Sequence, residues 1–154
     1  MSNVLGGALL AELGRGEGAR LAMSHSRVLL ADRHPNMLEA VRGLLEGWFA
    51  TTVMVADETS LFEAVERMEP DLVVVDLSFP VSGGSNVVRT LFKRFPELRV
   101  IVLSVHDEQA ALSQALGAGA AGFVLKRTAA VDLTPAVDAV LRGETYISPV
   151  LAGG

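Results

Sequence analysis

Apolar residues in this chain form two alternating patterns. Short continuous runs, many of them β-branched, occupy 27–31, 51–56, 71–75, 100–103 and 123–125. Between them, apolar positions recur every three or four residues. The runs suit strands buried on both faces, and the recurrences suit helices with one inward face. Over 35–48 the inward positions are Leu38, Val41, Leu44, Leu45 and Trp48, with Pro35 suited to the first turn. Over 60–68 they are Leu61, Phe62, Val65 and Met68, and over 85–95 they are Val87, Val88, Leu91 and Phe95. Asp107 reads as the cap of a helix reaching Leu116. A last helix over 131–141 carries Pro135 in its first turn and stops before Gly143.

Five strand–helix units in succession predict an α/β fold, a doubly wound parallel sheet with helices on both faces. The flavodoxin-like (βα)5 arrangement, strand order 2-1-3-4-5, is the expectation. In that order the first and third strands are neighbours at the switch point, and polar residues at the strand ends gather beyond one edge of the sheet. The third strand is the clearest case. Val73, Val74 and Val75 run directly into Asp76, and Leu77-Ser78-Phe79-Pro80 turns away at once. By itself Asp76 reads as readily as a helix cap as it does as a functional group, a nucleophile or a metal ligand. Asp32 and Arg33 leave the first strand, Ser104 the fourth and Lys126 the fifth. Asp57 follows the second strand at the sheet edge and is expected to lie too far away to join them.

Asp32, Asp76, Ser104 and Lys126 together make a set suited to phosphoryl transfer, which needs positioning and charge neutralisation more than covalent chemistry. Asp76 can carry the phosphoryl group, Lys126 can balance its charge, Ser104 can donate to a phosphoryl oxygen, and Asp32 can hold Mg²⁺. Simpler structural roles compete: a buried Lys126–Asp76 ion pair, a turn cap at Ser104, and a helix cap at Asp32.

Composition narrows the classes. The 154 residues suit one domain, half of them are hydrophobic, and the net charge of −5 argues against this segment gripping nucleic acid itself. The absence of cysteine excludes disulfides and thiolate metal sites. No apolar run approaches the roughly 20 residues of a membrane span, and no secretory signal pattern opens the chain. A cytoplasmic protein without membrane association is expected. Residues 1–26 are rich in glycine and read as a flexible leader, with Met23 a candidate start. Gly117-Ala118-Gly119-Ala120-Ala121-Gly122 has the spacing of a dinucleotide fingerprint but follows a helix and precedes a strand, the wrong context. His25, His34 and His106 are scattered with no metal-ligand spacing, and neither a Gly-x-Ser-x-Gly elbow nor a phosphate-binding loop is present.

Leu30-Ala31-Asp32-Arg33-His34-Pro35, Val75-Asp76-Leu77-Ser78-Phe79-Pro80, Leu103-Ser104-Val105-His106-Asp107-Glu108 and Gly122-Phe123-Val124-Leu125-Lys126 resemble the receiver domain of bacterial response regulators, NarL/FixJ (LuxR-type) subgroup. The resemblance covers about residues 27–149. It implies that Asp76 is the phosphoacceptor, Lys126 its basic partner, Ser104 the switch hydroxyl and Phe123 the switch aromatic that moves inward with it. It implies Mg²⁺ held by Asp32, Asp76 and the backbone carbonyl of Ser78, with the Ser78 side chain and His106 tuning phosphoryl lifetime. It also implies a sensor histidine kinase as phosphoryl donor, a homodimer, and a signalling module that is not a dedicated enzyme, although it can lose its own phosphoryl group. Residues 27–143 would be the receiver. Residues 144–154, which include Gly143-Glu144-Thr145-Tyr146-Ile147-Ser148-Pro149 in part, would begin a linker to a helix-turn-helix DNA-binding domain absent from this chain.

One position departs from the family pattern. Arg33 stands where the family usually has a second acid that touches the metal. Arg33 pairing with Asp76 would mimic part of the metal's charge; Arg33 in solvent would leave Mg²⁺ binding merely weak. The rival function is therefore an atypical receiver, not phosphorylated, regulated by a protein or small ligand, with Arg33 locking the pocket. A flavodoxin shares the strand order, but Asp32-Arg33-His34-Pro35 is not its phosphate-cradling loop.

Overall fold

The computed structural model describes residues 26–84 and 86–152. The expectations placed on residues 1–25 lie outside the described residues. Six parallel strands form one sheet in the order β2-β1-β3-β4-β5-β6. They are β1 (Arg27–Ala31), β2 (Thr51–Val55), β3 (Leu72–Asp76), β4 (Val100–Ser104), β5 (Gly122–Leu125) and β6 (Tyr146–Ile147). The helices are α1 (Pro35–Leu44), α2 (Glu58–Met68), α3 (Val87–Arg94), α4 (Gln109–Gly117), α5 (Ala129–Leu141) and the short α6 (Pro149–Ala152). The first five strands follow the 2-1-3-4-5 order, so the flavodoxin-like arrangement is the observed one.

The sheet divides the core into two layers. Alternate residues of each strand point to opposite faces. Leu29, Val73, Val75, Val102 and Phe123 meet the inward sides of α2, α3 and α4. Val28, Leu30, Val74, Ile101 and Val124 meet those of α1 and α5. Every residue of β3 and β4 is buried, as continuous apolar runs require.

Several boundaries differ from the sequence expectation, each for a local reason. α1 stops at Leu44, because the chain turns through Gly47, whose φ is +83°. Trp48 and Leu44 still pack against the core from that turn. α3 begins after Asn86, whose side chain accepts the Arg89 N–H at 2.9 Å. Asp107 does not cap α4; its carboxylate pairs with Arg127 at 3.3 Å, and Glu108 occupies the cap position without a side-chain bond. α5 begins at Ala129, so Pro135 lies inside the helix rather than in its first turn. The carbonyl of Val131 thereby loses its helical donor, on a side of the helix where Val131 and Pro135 are exposed. Asp57 caps α2, accepting from the Ser60 N–H at 2.8 Å and the Ser60 hydroxyl at 3.1 Å.

The glycine spacing over 117–122 has a packing origin. Gly119 has φ +115°, and an added Cβ there would lie 2.9 Å from the Phe92 ring. An added Cβ at Gly122 would lie 2.9 Å from Ile101 Cγ1. Tyr146 and Ile147, read from the sequence as linker, instead extend the sheet beside β5. Among the described residues no helix is long and apolar enough to cross a membrane.

Candidate functional site: an acidic pocket at the carboxyl edge of the sheet

Register explains the convergence. Ala31 pairs with Val75, so the next residues, Asp32 and Asp76, leave neighbouring strands side by side. Asp76 is itself paired with Leu103, and Ser104 with Leu125, which puts Ser104 and Lys126 at the same edge. Asp32, Asp76 and Ser104 are only 2%, 5% and 1% exposed, so their polar atoms must be satisfied within the protein.

Lys126 joins the two carboxylates. Its Nζ lies 2.9 Å from Asp32 Oδ2 and 3.2 Å from Asp76 Oδ2. The other oxygens are also engaged: Asp32 Oδ1 accepts the His34 N–H at 2.9 Å and faces His34 Nδ1 at 3.0 Å, and Asp76 Oδ1 accepts the Ser78 N–H at 3.0 Å. Burial pushes the Asp32 carboxyl up, but the hydrogen bonds from Lys126 and the His34 N–H, with the charge of Lys126, outweigh it and hold it below its ordinary value. One cation on two adjacent buried carboxylates relieves their mutual repulsion, and an anion arriving at Asp76 would meet the same ammonium.

Ser104 stands at the next strand end, but its hydroxyl donates to the His106 carbonyl at 3.1 Å and accepts the His106 N–H at 2.9 Å. His106 therefore touches Ser104 through its backbone. Its own exposed ring lies 3.7 Å from Glu108. Phe123 is wholly buried in the core layer beneath α4. Ser78 is exposed, on the turn that leaves β3. An open groove of about 620 Å³ runs from that turn to His106 and the start of α4.

Arg33 is exposed and forms no ion pair among the described residues. Of the two placements open to Arg33, pairing with Asp76 and exposure to solvent, the second is observed, and Lys126 lies against Asp76 instead. His34, set aside in the sequence because the three histidines are scattered, is instead drawn to the pocket. Asp32, His34 and Asp76 each present a potential ligand atom, and these lie within 4.8 Å of one another. The close Asp-x-His spacing was the available signal: a residue two beyond a strand end can fold back over it.

The response regulator receiver domain model matches residues 28–138. The chain belongs to the response regulator receiver family. This receiver is 33% identical over 125 residues to the transcriptional regulatory protein DegU of Brevibacillus brevis, covering 80% of this chain and 53% of the relative. It is 30% identical over 129 residues to the transcriptional regulatory protein RcsB of Escherichia coli, covering 80% and 60%. The chain thus spans little more than half the length of these LuxR/NarL-type relatives. Among solved structures, the isolated receiver domain of Salmonella enterica RcsB with the phosphomimetic BeF3⁻ superposes with TM-score 0.74 at 27% identity, covering 84% of this chain and 97% of that one. A LuxR-family two-component response regulator from Aurantimonas gives TM-score 0.75 at 31% identity, covering 84% and 94%. This is a receiver domain of the kind found in transcriptional response regulators.

Proposed function

We propose that this receiver is phosphorylated on Asp76 by a sensor histidine kinase and passes that signal to transcription. The observation that carries the reading is the single Lys126 ammonium within 3.2 Å of both buried carboxylates. In the transfer, an Asp76 carboxylate oxygen bonds to phosphorus, the phosphorus–nitrogen bond of the donor phosphohistidine breaks, and the imidazole leaves with the electron pair. Lys126 then balances the added charge. Ser104 donates to a phosphoryl oxygen after releasing the His106 carbonyl, and Phe123 repacks with it. Ser78 and His106, both on the groove, tune how readily water reaches the acyl phosphate.

Asp32 and Asp76 fit Mg²⁺, which commonly takes one or two carboxylates together with waters and phosphate oxygens. The Ser78 carbonyl would complete the protein donors, and bound Mg²⁺ would neutralise charge on the phosphoryl oxygens. Arg33, unpaired in solvent, does not block the carboxylates; it removes the second acid and weakens the site. Transcriptional output would run through a DNA-binding domain outside these residues and through a homodimer, as in the RcsB dimers solved with DNA.

A second reading, an atypical receiver regulated by binding alone, draws on one observation: every oxygen of Asp32 and Asp76 already has a hydrogen-bond donor or the Lys126 ammonium beside it. Intact mass after acetyl phosphate treatment, with and without Mg²⁺, separates the two. Wild type should gain one phosphoryl mass and Asp76→Asn none. No gain in wild type at high Mg²⁺ overturns phosphorylation, and a gain seen only in Arg33→Asp supports the second reading.

A further inference from the structure

Asp132 is the buried acid that the proposed chemistry leaves unused. It is 5% exposed, in the first turn of α5, and forms no ion pair among the described residues. Neutral hydroxyls satisfy it instead. Thr128 and Ser148 both donate to its Oδ2, at 2.6 and 2.7 Å, and the Tyr146 hydroxyl donates to its Oδ1 at 3.3 Å. A buried carboxylate without a cation is costly unless such donors hold it.

The two close hydroxyls also grip Leu125, the residue before Lys126. Ser148 Oγ accepts the Leu125 N–H at 3.0 Å, and the Thr128 hydroxyl shares its proton with the Leu125 carbonyl at 3.4 Å. Both backbone groups of Leu125 are thus fixed from one carboxylate oxygen. Ser148 and Tyr146 belong to the segment that leaves the domain. Their amides donate to Phe123 and Ala121 carbonyls at 2.9 and 3.0 Å, which holds this segment on β5. The strand that delivers Phe123 and Lys126 is therefore tied, through Asp132, to the departing chain.

We propose that Asp132 is a positioning residue for Lys126 and that its hydroxyl network couples the state of the Asp32–Asp76–Lys126 pocket to the pairing of β6. A change at Lys126 moves the Leu125 peptide, Ser148 must follow or release it, and β6 tightens or loosens on β5. The phosphorylation arm of the test rests on the Asp76 reading above; the coupling itself does not.

The test is residue-resolved amide exchange at Tyr146 and Ser148, with Val74 in the core as the folded control. Lys126→Met perturbs the pocket without a phosphoryl group, and acetyl phosphate perturbs it with one. Lys126→Met should change exchange at Tyr146 and Ser148 by about fivefold or more, the lower range of ordinary site-to-site coupling. Phosphorylation should change it likewise. Adding Ser148→Ala should abolish both responses while Val74 stays protected, and Ser148→Thr, which keeps the hydroxyl, should restore them. Asp132→Ala should act as Ser148→Ala does; if it fails to fold, Ser148→Ala decides alone. No response to Lys126→Met, or a response that survives Ser148→Ala, overturns the coupling. Failure to phosphorylate overturns the Asp76 reading instead and leaves the Lys126→Met result decisive.

Discussion

At the residue scale, the pocket is governed by how few cations its buried carboxylates share. Lys126 serves both Asp32 and Asp76, and the Arg33 guanidinium stays in solvent. The lowered Asp32 titration has a definite linkage sign. A carboxyl that titrates lower folded than unfolded adds stability above its unfolded value, and that stability is lost as pH falls through the folded one. Wild type should therefore lose stability as pH drops below the ordinary 3.8, and Asp32→Asn should lose less over the same interval. Urea midpoints measured across acid pH check this; parallel curves for the two proteins would contradict it. Sequence reasoning reached Asp32, Asp76, Ser104 and Lys126 because each ends a buried run. It missed His34, whose approach depends on the backbone turning back over Asp32 rather than on spacing to another histidine.

Among the elements, β5 and its neighbours hold the least expected features. β6 has two residues and no apolar run of its own, so nothing in the local pattern distinguishes it from a linker. It exists because β5 would otherwise present an open edge, and because Ser148 and Tyr146 reach Asp132. Tyr146 reports on that junction. It is the sole tyrosine, and burial, then the charge of Asp132, then their hydrogen bond push its phenol above the ordinary value. Absorbance titration should give a midpoint above about 10, and Asp132→Asn should lower it while burial keeps part of the shift. An unchanged midpoint would mean that the carboxylate does not act on the ring. On the same face of β5, Gly122 packs against Ile101 and Val140. Gly122→Ala overfills that contact and should cost about 1–3 kcal/mol in chemical denaturation; a neutral result would show that Ile101 and Val140 yield there.

For the whole molecule, one sheet serves two apolar layers, so the layers should unfold together. Trp48, the sole tryptophan, packs in the layer with α1 and α5. Leu61, fully buried, lies in the other layer on α2. Leu61→Ala should destabilise by about 3 kcal/mol. The Trp48 fluorescence and far-ultraviolet circular dichroism midpoints should shift by the same amount. A fluorescence midpoint left behind would reveal two independently melting halves. The same shared sheet puts a change at the carboxyl edge in contact with both layers.

The sequence alone determined the alternation of strands and helices, hence the parallel two-layered sheet, and the polar residues at its strand ends. Those features are local: a continuous apolar run must be buried on both faces, and the polar residue at its end must emerge at an edge. It also carried the family motifs, which the matched receiver family bears out. Tertiary structure decided which charges meet. Lys126 rather than Arg33 lies against Asp76, His34 bends onto Asp32, and Asp132 turns inward because the chain after α5 returns to cover it. Such choices depend on register, on the path of the returning chain and on the scarcity of buried donors, none of which is written in the spacing of neighbouring residues.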